Sequence, residues 1–172
     1  MKTWQDAARD SAVSGALASV ASTAALAAGG MRENGSPFAP TNAVSHYLLG
    51  DKAALHNEPS TKYTMLGYLI HHASANFWAV LYEKWFGDIA EQKGVVPALA
   101  AGAAVAGLAC FTDYKLTPPG LEPGYEMRLS KKSLFYAYCG VAVGLAAGSI
   151  LMRQRRLSQR RTRDMAPSDY MP

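Results

Sequence analysis

Cysteine is scarce in this 172-residue chain: there are two, Cys110 and Cys139, and both fall inside long apolar runs. That placement argues against a secreted disulfide framework, and no C-x-x-C pair offers a structural zinc site or a redox centre. Also absent are H-E-x-x-H, G-x-S-x-G and a glycine-rich nucleotide loop, so the usual signatures of metalloproteases, α/β-hydrolases and nucleotide-binding folds are missing and no enzymatic activity is expected. The most informative absence is charge. Ser11 to Met31, Tyr63 to Tyr82, Val95 to Thr112 and Ser133 to Met152 contain no Asp, Glu, Lys or Arg.

Each of these stretches is close to the roughly 20 residues a helix needs to cross about 30 Å of hydrocarbon. A soluble bundle would show polar residues every third or fourth position. The first, third and fourth stretches lack that pattern. Mean hydropathy is only -0.04, because the loops and tail are polar and the helices use Ala, Gly and Ser, small residues suited to helix contacts in lipid. We therefore expect an all-α polytopic membrane protein. Four transmembrane helices, over about 10–31, 63–84, 94–113 and 133–152, would make one domain, 1–152, followed by a basic, disordered tail, 153–172. The first span imitates a signal peptide, with Lys2, Arg9 and Ala25-Leu26-Ala27, but Asp6, Asp10, its serines and its length favour a retained helix.

Basic residues set the expected orientation. Arg153, Arg155, Arg156, Arg160, Arg161 and Arg163 follow the last span directly. By the positive-inside rule they place both termini in the cytoplasm of a bacterial inner membrane. The same arginines suit anionic lipid headgroups and do not imply nucleic-acid binding. The two outer loops then hold the turn formers: Asn34, Gly35, Pro37 and Pro40 in one, Pro118, Pro119, Gly120, Pro123 and Gly124 in the other. Between the first loop's prolines and Gly50, Thr41 and Asn42 cap the run Ala43 to Leu49, a short helix expected to lie at the membrane interface or dip partway in. Trp and Tyr near the helix ends fit an aromatic belt.

Small residues predict how the spans pack. Gly140, Gly144 and Gly148 form a double G-x-x-x-G row; Gly102 extends a row with Ala98 and Ala106, and Gly15 one with Ser11 and Ser19. Such rows let backbones approach closely. They are expected to pair within the chain, the alternative being a homo-oligomer or a membrane-protein partner.

Polar residues inside a span demand a reason. His71, His72, Asn76 and Glu83 lie in the second span, with His72, Asn76 and Glu83 on one strip at 100° per residue. At the same outer end, Asp113 closes the third span and His46 belongs to the outer loop. His71, His72, His46 and Asp113 are thus candidate metal ligands or proton relays. The alternative is a hydrogen-bonded network holding the helices together, with no cofactor at all.

The segments Glu33-Asn34-Gly35-Ser36-Pro37, Ala43 to Gly50, Gly67-Tyr68-Leu69-Ile70-His71-His72, and Asp113-Tyr114 leading to Pro123-Gly124-Tyr125-Glu126 together resemble a group of uncharacterised bacterial four-helix inner-membrane proteins. The resemblance covers Arg32 to Gly148. It implies fold and location and transfers no site residue. Two functions are expected from the sequence: a structural or accessory membrane protein that docks a partner, or a small transporter or metal- or haem-binding protein using the His71, His72 and Asp113 cluster.

Overall fold

The computed structural model describes residues 1–164, and these residues are helical throughout with irregular connections. Helix α1 spans Trp4–Asn34; its first turn is capped by the Thr3 hydroxyl, which accepts the Asp6 N–H at 3.1 Å, and Gly35 ends it at φ +69°. Two short helices follow, α2 (Ala39–Val44) and α3 (His46–Leu49). After a π turn at Thr61–Met65 comes α4 (Leu66–Lys93), and Gly94 alone joins it to α5 (Val95–Phe111). Gly94 sits at φ +91°, a left-handed value that favours glycine, so it makes the tight reversal between two long helices. A second π turn, Thr112–Leu116, prolongs α5, and α6 spans Lys131–Asp164.

Three of these helices are long and apolar enough to cross a membrane: Trp4–Asn34, Val95–Leu116 and Lys131–Arg163. Helix α4 falls short because His71, His72, Ser74 and Asn76 interrupt its middle. Helices α1 and α6 overrun the expected spans at both ends and α4 at its carboxyl end, whereas α5 lies within its expected span. The clearest case is α6. The segment expected to be a disordered tail is helical through Asp164, and Arg156 within it is tied to Asp10 and Glu91. The rest of that tail lies outside the described residues.

Helix α1 lies between α4 and α6, and α5 closes the ring against α4 and α6. Glycines set the approach distances. A Cβ at Gly140 would meet the Ala21 carbonyl oxygen at 2.9 Å, and Cβ atoms at Gly144 and Gly148 would collide with the backbones of Ala18 and Ser14. One face of α6 is therefore seated on α1. Gly15 of α1 gives the same room to Asn76 of α4, and Gly102 of α5 to the Ala142 backbone of α6. The buried core is accordingly built largely of alanine around Tyr82 and Leu145 at one end, and around Leu26, Val44, Tyr125 and Leu134 at the other.

The short loop helix differs from expectation. It begins at Ala39, with Pro40 in its first turn, breaks at Ser45, and its first part is fully buried instead of lying on the surface. Two contacts explain this. Gly67 of α4 leaves space for the Thr41 carbonyl, and the Asn42 side chain bridges the chain, donating to His56 O (2.9 Å) and Glu58 O (3.0 Å) and accepting from Thr64 Oγ1 (2.6 Å). A side chain expected to cap the helix thus serves as the hub of the loop.

Candidate functional site

Polar side chains gather at both ends of the helix ring. At the end capped by α2 and α3, a cavity of about 330 Å³ opens among α1, α4, α5 and α6. That volume lies in the usual range of small-molecule sites, about 300–1,000 Å³. Its polar wall holds Ser22, His71, Asp113, Tyr125 and Tyr138, and Trp78 closes its deeper side. Exposed Ser74 and Tyr47 form its rim.

Each polar group there has a defined role. Ser22 Oγ donates to Ala18 O at 2.7 Å, so it accepts from His71 Nε2 at 2.9 Å. His71 Nδ1 is then an acceptor, and Tyr125 Oη donates to it at 2.6 Å. Burial, reinforced by Tyr114, Asp113, Tyr47 and Glu126, holds Tyr125 well above the usual phenol range, which keeps it a donor. Both nitrogens of a neutral His71 are thus engaged, and neither keeps a lone pair for an ion. Asp113 accepts from Tyr138 Oη at 2.6 Å. It forms no ion pair among the described residues.

Of the four candidate ligands, His71 and Asp113 line this cavity and His72 and His46 do not. His72 Nε2 meets Asn76 Nδ2 at 3.0 Å and its ring stacks on Tyr68, because neighbouring residues on a helix point about 100° apart. His46 Nε2 bonds to Glu122 O at 2.9 Å and thereby pins the loop between α5 and α6 over α3. Asp113 pairs with neither Lys115 nor Arg128. Arg128 instead holds Asn34 Oδ1 (2.8 Å), Asn57 Oδ1 (2.5 Å) and the Ala54 carbonyl, tying together the α1–α4 and α5–α6 loops.

The opposite end is ionic. Lys2 Nζ, buried, lies 2.8 Å from Asp10, 2.6 Å from Glu83 and 2.5 Å from Glu91, while Arg156 reaches Asp10 (2.7 Å) and Glu91 (2.6 Å). Glu83 also accepts from Ser149 Oγ at 3.2 Å. Gly87 makes room, since a Cβ there would meet Lys2 Nζ at 2.8 Å. The carboxylates converge on an ammonium that belongs to the chain itself.

Sequence reasoning missed Tyr125 and Tyr138 as partners of His71 and Asp113, and missed Lys2 as the counterion of Glu83. For the tyrosines no local signal exists. For Lys2 there was one: Lys2, Asp10, Glu83, Glu91 and Arg156 all border apolar stretches on the same expected side. The chain matches no family model, no curated protein and no solved structure. The resemblance to uncharacterised inner-membrane proteins therefore rests on its quoted residues alone.

Proposed function

We propose that this chain is an integral membrane protein of four spans, with both termini in the cytoplasm of a bacterial inner membrane, that binds a small molecule in the cavity at its outer end. The observation that carries the reading is Asp113: a carboxylate at the end of an apolar helix, lining a cavity, with a tyrosine beside it and, among the described residues, no cation paired with it.

Helix α4 qualifies as the fourth span by its two faces. Asn76 and Glu83 point to α1, whereas Phe77 and Trp85 are exposed on the other side, 58% and 43% respectively, and suit lipid. The G-x-x-x-G row of α6 supports a helix bundle that closes on itself. Gly140, Gly144 and Gly148 all meet α1, which favours pairing within the chain over docking a partner through that face. His71, with both nitrogens engaged, supports orientation and hydrogen bonding in the cavity over metal or haem ligation.

The test is a ligand screen on the purified full-length protein in detergent, read as thermal stabilisation, with Ala137→Phe as control. Ala137 lines the cavity and is buried, so the larger ring takes up its volume. Compounds that stabilise the wild type and lose their effect in Ala137→Phe support the reading; if no compound distinguishes the two proteins, the cavity is packing only. A fluorescent protein fused at the carboxyl terminus should fluoresce in the cytoplasm, and export of that terminus would overturn the orientation.

A further inference from the structure

The chemistry of the cavity goes further than its existence and, resting on the small-molecule reading, names the class of ligand. We infer that the cavity takes a lipophilic organic cation, a protonated or quaternary amine with an apolar body, whose charge lies between Asp113 and the rings of Tyr47, Trp78, Tyr125 and Tyr138.

Three independent features converge. The first is charge. Asp113 has no cationic partner among the described side chains, and Lys115 and Lys131 line an adjoining groove with Glu126, which shares Leu134 and Tyr138 with the cavity but not Asp113. A half-buried carboxylate without a counterion among the described residues favours an incoming cation, because water screens the attraction only in part there. The second is the ring lining. Four aromatic side chains border the same cavity, and aromatic faces attract organic ammonium groups that have shed their water. The third is the apolar remainder: Leu26, Val44, Ile70, Ala109 and Val141 surround the polar wall and would seat a hydrocarbon body.

The rim carries the same sign. Burial first, then Asp113, Glu126 and Glu122, push the Tyr47 hydroxyl up to about 12, so three carboxylates act on the cavity mouth. Anions are disfavoured at that entrance. His71 adds no competing positive charge, since its Nδ1 accepts from Tyr125.

A matched pair of probes isolates the charge: benzyltrimethylammonium and its uncharged isostere neopentylbenzene, which have nearly the same shape. Equilibrium binding to the full-length protein in lipid nanodiscs should favour the cation by about tenfold or more, the scale of a desolvated cation–ring contact joined to a carboxylate. Asp113→Asn keeps the shape and an acceptor for Tyr138; it should abolish that preference while leaving the isostere's affinity within about twofold. A mutation-free measurement guards against misfolding: carbodiimide modification of Asp113 in the wild-type chain should slow when benzyltrimethylammonium is present. Equal affinity for the two probes, or an unaltered modification rate, overturns the cation assignment but leaves a small-molecule cavity standing. Binding of neither probe, with no difference between wild type and Ala137→Phe across the wider screen, removes both.

Discussion

The two ends of the helix ring solve the same problem, polar groups beside apolar helices, by opposite means. At the amino- and carboxyl-terminal end, every buried carboxylate faces a cation of the same chain: Lys2 is shared by Asp10, Glu83 and Glu91, and Arg156 covers the outer side. At the loop end, Asp113 meets a tyrosine, His71 meets a serine and a tyrosine, and a cavity remains among them. A compensated cluster is a clasp. An uncompensated one beside a cavity is where we propose that a ligand binds.

Removing charge separates the two most sharply. Lys2→Met should leave three carboxylates in a buried site without their central ammonium, a loss of about 3–5 kcal/mol by analogy with broken buried ion pairs. The melting temperature in detergent reads it. A variant that melts like the wild type would show that the clasp does not hold the ends together.

Between the two ends lies the α1–α6 seam, which both depend on. Gly144→Leu places a branched side chain against the Ala18 backbone and should cost about 2–3 kcal/mol or more, since neither backbone can yield without moving the other seam contacts. Size-exclusion profiles should show unfolding or aggregation; a well-folded chain with altered oligomeric state would instead assign the row to a partner.

His71→Ala should be milder, at about 1–3 kcal/mol, because Tyr125 loses its acceptor and Ser22 its donor within a buried site. Tyr125→Phe in the same background should then add little, which a double-mutant cycle measures. Arg156→Gln should be the smallest of the substitutions, at about 1 kcal/mol or less. Its side chain is 42% exposed and solvent screens its pairs. An Arg156 effect equal to that of Lys2 would mean that burial does not distinguish them.

Alkaline pH provides a further separation. Burial alone would lower the Lys2 pKa, but hydrogen bonds to Asp10, Glu83 and Glu91 outweigh it and hold it above the ordinary value of 10.5. A raised folded pKa means that the Lys2 contribution is complete below about 10.5 and is lost only as pH climbs through the folded value. The Lys2 contribution to melting, taken as wild type minus Lys2→Met, should be the same at pH 7 and pH 9.

Helix content and the glycine rows were legible in the residues because both are local properties: an uncharged run has a length, and a four-residue spacing has a face. The apolar stretches lie inside α1, α5 and α6 as expected, and α4 stands apart through its histidines. The site was half legible. His71 and Asp113 drew notice because polar residues near apolar runs are costly, yet their partners Tyr125 and Tyr138 lie 54 and 25 residues away, and no local pattern connects them. His72 and His46 were grouped with them by depth alone. Helical rotation turns His72 toward Asn76, and His46 is used up in holding Glu122.

By itself, then, the sequence determined which segments are helices, which faces carry small residues and where polar groups are expensive, since chain-local chemistry suffices for each. Only the tertiary structure decided which charges neutralise one another. That depends on α1, α4 and α6 bringing Lys2, Glu83 and Arg156 to one end, while among the described residues no cation pairs with Asp113 at the other.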